Sequence, residues 1–214
     1  MYKLIVFDLD GTLLNTLDDL TDSVNFALGQ YALPTRTREE VRSFIGNGIA
    51  KLIQRAVGEQ YAGKHADVLA EFKRYYGTHC KVKTRAYDGM DALLRDLREH
   101  NVLTAVLSNK ADFAVKLLAD EYFPNTFFMA QGENEQAGIR KKPAPDALYA
   151  IMEQAGVTQA ETLYVGDSEV DIQTANNAGV DCVSVTWGFK EEEFLRENGA
   201  TCIARTPAEI LRFL

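Results

Sequence analysis

Cysteine, histidine, positive charge and long apolar runs are all scarce in this chain of 214 residues. Its three cysteines, Cys80, Cys182 and Cys202, are odd in number and form no C-x-x-C pair, which argues against a disulfide scaffold or a structural zinc site. Cys182 and Cys202 sit in apolar stretches, where cysteine behaves as a small buried apolar residue. The three histidines, His65, His79 and His100, are scattered through charged helix-like segments, and none is assigned a catalytic part. No apolar run approaches the ~20 residues of a membrane span, so no membrane association is expected. Lys and Arg total 23 against 31 Asp and Glu, a net charge of -8. That is the opposite of a nucleic-acid footprint, and an anionic substrate would have to be drawn in by local cations. Met1 to Phe7 runs straight into a strand-like segment without a signal-peptide cleavage site, so a cytoplasmic location is expected.

What the chain does have is 46% hydrophobic residues, enough for a sizeable core. Short β-rich runs at Leu4–Asp8, Val102–Ser108, Thr126–Ala130, Glu161–Gly166, Asp181–Val185 and Thr201–Ile203 are apolar on both faces, as strands covered by helices on each side would be. Helical patterns lie among them at Gly89–Glu99, Lys110–Glu121, Pro145–Gln154, Glu169–Asn177, Glu191–Glu197 and Pro207–Arg212. The alternation predicts an α/β fold, a doubly wound parallel sheet. Residues 16–85 break it, with helical periodicity and no convincing strand. Leu17, Leu20, Val24 and Leu28 make one apolar face, Leu52, Ile53, Ala56 and Val57 another, and Val68, Leu69, Phe72 and Tyr76 a third. Such a block is far longer than a crossover needs. Two domains are therefore expected: a core of residues 1–15 and 86–214, and an inserted all-α domain of residues 16–85.

Four pieces carry the chemistry. Asp8-Leu9-Asp10-Gly11-Thr12 follows an apolar strand, so Asp8 should emerge at a strand's C-terminal end, where open α/β sheets bind ligands. Gly11 allows the tight turn that aims both carboxylates at one pocket, although Asp and Gly also suit a plain capped turn. Ser108-Asn109-Lys110 follows the second strand. Its hydroxyl, amide and free N–H groups at a helix start suit phosphate oxygens, and equally an ordinary N-cap. Lys142 precedes Pro143, which favours an extended backbone and a fixed cation able to neutralise phosphoryl charge. It is otherwise one member of the Arg140-Lys141-Lys142 run. Gly166-Asp167-Ser168-Glu169-Val170-Asp171 ends another buried strand in acid, with Asp171 one helical turn after Asp167. Converging carboxylates repel and need a cation, and oxygen ligands without His or Cys point to Mg²⁺ before Zn²⁺. A single acid there would also complement a helix dipole.

In order and spacing these pieces resemble the four motifs of the haloacid dehalogenase superfamily of Mg²⁺-dependent phosphatases, over essentially the whole length. The helical insertion resembles that family's C1 cap. The resemblance implies a Rossmann-like core with Asp8 as nucleophile, forming an aspartyl-phosphate, and Asp10 as the acid and base. Lys142 would join them in catalysis. Asp8, Asp10 through its carbonyl, and Asp167 would hold Mg²⁺, with Asp171 supporting the metal site. Ser108, Asn109, Gly11 and Thr12 would bind the phosphoryl group. In the cap, Ile45-Gly46-Asn47-Gly48 looks like the specificity loop of phosphoglycolate phosphatases. Asn47 would face the leaving group, and Arg55 or Lys51 would face a substrate carboxylate. A helix–helix turn has the same composition as that loop. Asn15-Thr16 and Lys141 depart from the family's usual acid-serine pair and glycine. The expected activity is hydrolysis of a small phosphorylated metabolite, 2-phosphoglycolate or a similar monoester, by a monomer or homodimer. A phosphomutase of the β-phosphoglucomutase type, a pyrophosphatase or nucleotidase, and a non-catalytic metal- or phosphate-binding protein stay open as alternatives.

Overall fold

Leu4-Ile5-Val6-Phe7 is wholly buried, as a central parallel strand with helices on both faces must be. A computed structural model describes residues 1–134, 138 and 140–214. In chain order the regular elements begin with β1 (Leu4–Phe7), β2 (Leu14–Asn15), and the helices α1 (Leu17–Gly29), α2 (Arg38–Phe44), α3 (Ile49–Val57) and α4 (His65–His79). Next come β3 (Arg85–Ala86), α5 (Met90–Glu99), β4 (Leu103–Ala111), α6 (Asp112–Tyr122) and β5 (Met129–Glu133). The chain ends with α7 (Asp146–Ala155), β6 (Thr162–Gly166), α8 (Glu169–Ala178), β7 (Asp181–Val185), α9 (Glu192–Glu197) and β8 (Cys202–Ala204). No helix among the described residues is long and apolar enough to cross a membrane.

The main sheet has the spatial order β5-β4-β1-β6-β7-β8, with every pair parallel. Counted along the chain, these six strands run 3-2-1-4-5-6, the doubly wound order whose ligand crevice opens where the winding reverses. Here that point lies between β1 and β6. Beneath one face, Leu4, Val6, Ala105, Leu107 and Tyr164 pack with Leu148 and Ile151 of α7 and with Ala175 and Ala178 of α8. The predicted α/β class holds.

The chain divides into two compact units, Met1–Leu14 with Ala86–Leu214, and Asn15–Arg85. The smaller unit is built from α1 to α4, with α1 against α4 and α2, and α3 against α4. Its interior holds Leu20, Val24, Leu28, Leu52, Ile53, Val68 and Phe72, while Phe26 and Tyr75 stack with centroids 3.9 Å apart. Leu69, expected in this core, is only half-buried.

Two boundaries differ from the sequence reading. The second long strand runs on to Ala111, so α6 starts at Asp112 and Ser108-Asn109 are strand residues rather than a helix cap. The cause is a bulge. Leu107 pairs with Gln131 but Ala111 with Glu133, four steps on β4 against two on β5, and such extra residues re-aim side chains at a sheet's rim. The strand expected at Thr126–Ala130 lies at Met129–Glu133 instead. Phe127, read there as a strand residue, packs edge-on to Phe123 before the strand starts. The helical pattern read at Pro207–Arg212 is a 3-10 helix, Pro207–Phe213.

Candidate active site

Both aspartates of the first motif leave β1 at the reversal point. Asp8 is buried, and its N–H donates to Val165 O of β6 at 2.9 Å. Its carboxylate accepts from Leu9 N at 2.7 Å. Gly11 then takes φ +84, and a Cβ there would overlap the Asp167 carboxylate, so only glycine lets the two loops meet. Asp167 follows β6 directly. Phe189 N donates to its Oδ2 at 2.6 Å, and the Thr12 hydroxyl lies 3.5 Å from its Oδ1. Asp171, in the first turn of α8, forms a capping box with Ser168, whose hydroxyl donates to Oδ2 at 2.6 Å. Gly166 is equally constrained, because a Cβ there would overlap Asp171.

Two buried lysines complete the cluster. Lys142 Nζ donates to Asp171 Oδ1 at 2.7 Å and stands 3.0 Å from Asp8 Oδ1 and 3.1 Å from the Tyr164 hydroxyl. Asn109 holds that lysine by its backbone, accepting from Lys142 N at 2.8 Å and donating to Lys142 O at 3.0 Å. Lys110, carried on the bulge, donates to both oxygens of Asp10 at 2.9 and 3.1 Å.

The electrostatics follow from crowding. Asp8, Asp167 and Asp171 are buried, and each offers a carboxylate oxygen within 4.8 Å of the others. Burial, with Asp171 and Asp10 adding to it, pushes Asp8 up to about 7 although Lys142 pulls the other way. Burial, then Asp171 and Asp8, pushes Asp167 well above the ordinary carboxylate range. Burial opposes the charge on Lys142, yet Asp171 and Asp8 outweigh it and hold the ammonium well above its usual value. Four carboxylates (Asp8, Asp10, Asp167, Asp171) against two ammonium groups (Lys110, Lys142) leave a formal charge of -2. One divalent cation balances it, and an all-oxygen donor set suits a hard ion. These residues therefore fit a metal.

Residues 5–185 match the family described as haloacid dehalogenase-like hydrolase. The chain belongs to that family. The phosphoglycolate phosphatase of Pseudomonas syringae pv. tomato is 35% identical over 209 residues, 94% of this chain and 75% of that protein. The phosphoglycolate phosphatase of Haemophilus influenzae strain KW20 is 34% identical over 222 residues, covering 100% of this chain and 98% of the other. A solved structure from Lactobacillus delbrueckii subsp. bulgaricus superposes with a TM-score of 0.92 at 36% identity, over 98% of this chain and 96% of that one. The chain is thus an enzyme, a haloacid dehalogenase-like hydrolase of the phosphatase type.

Within this hydrolase the core residues singled out from sequence come together: Asp8, Asp10, Gly11, Thr12, Ser108, Asn109, Lys142, Asp167 and Asp171 all lie at the C-terminal edge of β1, β4 and β6. Two of them also have partners within the protein. The carboxamide of Asn109 pairs with the backbone of Lys142. Thr12 is fully buried with its hydroxyl towards Asp167. The expected specificity residues belong to the helical unit. There Arg55 donates to Asn47 Oδ1 at 2.8 Å and to Phe44 O at 2.7 Å, so its guanidinium braces the 45–48 loop that contains Gly46 and Gly48.

Sequence reasoning named Lys110 in the second piece without giving it a part, and missed Tyr164 and Trp187-Gly188-Phe189. The last three form the loop after β7. Trp187 Nε1 donates to Thr12 O at 3.0 Å, and a Cβ on Gly188 would overlap Asp167. Trp187 is the chain's one tryptophan and follows a buried strand, a signal that was available. Tyr164 reads as an ordinary core aromatic, and only the fold brings its hydroxyl to Lys142.

Proposed function

We propose that this hydrolase cleaves a small phosphate monoester, 2-phosphoglycolate or a close analogue, through an aspartyl-phosphate on Asp8 in the presence of Mg²⁺. The observation that carries the proposal is the residual charge of -2 on a buried set of carboxylates beside two fixed ammonium groups. The substrate class comes from the relatives, which are phosphoglycolate phosphatases.

Asp8 and Asp167 would hold the cation, with the carbonyl of Asp10 completing the protein's share and Asp171 in support. When bound, the ion offsets repulsion between an anionic nucleophile and an anionic ester. Every other part falls to the chain. In the first half-reaction an Asp8 oxygen forms a bond to phosphorus as the bond to the leaving oxygen breaks, and the proton of the Asp10 carboxyl passes to that oxygen. In the second, water attacks phosphorus, Asp10 takes its proton, and the bond to Asp8 breaks to release inorganic phosphate. Lys142, 3.0 Å from Asp8, is suited to neutralise the transferring oxygens. The buried Ser108, on the same strand end, is the hydroxyl donor of the set.

Phosphate release measured across phosphorylated metabolites, with Mg²⁺ and with chelator, tests this reading. The expected result is metal-dependent release from 2-phosphoglycolate above sugar phosphates and pyrophosphate. Isomerisation of a sugar phosphate without phosphate release would make the chain a mutase. No turnover of any ester with Mg²⁺ would leave only a binding role.

A further inference from the structure

The second buried lysine has no part in the mechanism above. Lys110 is 4% exposed, and a lysine so far from water needs a carboxylate partner. Its partner lies a hundred residues away in sequence: both oxygens of Asp10, at 2.9 and 3.1 Å. The bulge between Leu107 and Ala111 places it there, since β4 spends four residues where β5 spends two.

The two lysines divide the first motif between them. Lys142 reaches Asp8 and Asp171, whereas Lys110 reaches Asp10. Asp10 sits on the turn at Gly11, and a carboxylate on such a turn can rotate about its side-chain bonds. A donor shared by both of its oxygens removes that freedom. Asp10 keeps a side-chain exposure of 13% against 2% for Lys110, so the carboxylate is the more accessible partner of the pair.

We propose that Lys110 is a positioning residue that acts through Asp10, fixing the orientation of the carboxylate that moves protons to the leaving oxygen and from water. This rests on the acid–base part given to Asp10 above. A group that works by orienting another leaves substrate affinity alone, and misplacement of a reacting group by about 1 Å costs on the order of 10²-fold in rate.

The test is a double-mutant cycle, with Mg²⁺ and an activated aryl phosphate whose turnover stays measurable when proton donation is impaired. Lys110→Met should lower kcat by about 10- to 100-fold with KM within about twofold. Lys110→Arg, which keeps the charge, should recover part of the loss. In an Asp10→Asn background, Lys110→Met should change kcat by less than about threefold, because the residue it acts through is already gone. If Lys110→Met does not give the native circular dichroism spectrum, Lys110→Gln, which keeps a polar side chain without the charge, carries the cycle with the same expectations. Full turnover in Lys110→Met, a rise in KM in place of a fall in kcat, or an equal loss with and without Asp10 would each overturn the inference while Asp10 keeps its role. Full turnover in Asp10→Asn would overturn the acid–base reading itself, and this inference with it.

Discussion

Each unit of the molecule buries aspartate, and the two do it in opposite ways. In the helical unit Asp19 is 2% exposed, and its carboxylate accepts from Lys83 N at 2.9 Å and Thr84 N at 2.8 Å. Backbone donors satisfy it, and it ties the end of the inserted segment to α1. In the core unit Asp8 and Asp167 are buried too, but their nearest charged neighbours include other carboxylates. Backbone N–H groups answer only part of that charge. A buried acid that meets amides is a staple in the fold. A buried acid that meets acids stores an unmet demand for positive charge, and that demand is what marks a site for cation and phosphate chemistry.

The largest expected effect breaks the pair at Asp8. Asp8→Asn should reduce turnover by about 10³-fold or more, since removing a nucleophile removes the covalent route, while the thermal midpoint in chelator stays level or rises. Phosphate release and thermal unfolding measured on one preparation would check it. Substantial turnover in the mutant would take the nucleophile's part away from Asp8.

The same contrast predicts an unusual pH response. With chelator present, Asp8 is raised in the folded state to about 7 from an ordinary value of 3.8. The folded protein therefore binds more protons than the unfolded chain between those values, and stability must fall as pH rises through that window. Thermal midpoints in chelator should be higher at pH 5 than at pH 8. Adding Mg²⁺ at pH 8 should restore the midpoint, since a ligand that binds only the folded state stabilises it. Asp8→Asn should flatten the slope. An identical midpoint at both pH values would show that the carboxylate cluster carries no such demand.

Asp19→Asn sharpens the comparison from the other side. It replaces one accepting oxygen by an NH2 group and removes the charge that strengthens the bonds from Lys83 N and Thr84 N, and should cost about 1–3 kcal/mol of stability, read as a lower denaturation midpoint. Turnover per folded molecule should persist. A loss of turnover without a loss of stability would mean that Asp19 is not the staple its hydrogen bonds describe.

The sequence carried the sheet better than it carried the neighbourhoods. Runs such as Leu4-Ile5-Val6-Phe7 and Thr162-Leu163-Tyr164-Val165 announce buried parallel strands by apolarity alone, and acids that follow them must fall on one edge. Asp8 and Asp167 were legible for that reason. Lys110 was not, because its place depends on a bulge, and a bulge arises from pairing with β5 rather than from local composition. Asn109 was legible as a site residue but not as a brace for Lys142, a contact across 33 residues. Asp19 carries no local mark separating it from Asp18 or Asp22. Only the fold brings the amides of Lys83 and Thr84 to it.

The smallest expected effect concerns the helical unit's own loop. Gly46 and Gly48 both adopt positive φ, and nothing lies within 4 Å of a Cβ built on Gly46. Arg55 ties the loop through Phe44 O and Asn47 Oδ1. Arg55→Met should cost about 1 kcal/mol in stability, the worth of a hydrogen bond or two. If the loop selects the leaving group, the same change should raise KM for 2-phosphoglycolate a few-fold with kcat nearly unchanged. Asn47→Ala should do the same, and the double mutant should be no worse than either, because both remove one brace. A much larger, additive effect of Arg55→Met on KM would instead mean that the guanidinium leaves Asn47 to meet the substrate's carboxylate directly. The cycle thus separates an arginine that shapes the loop from one that reads the ligand.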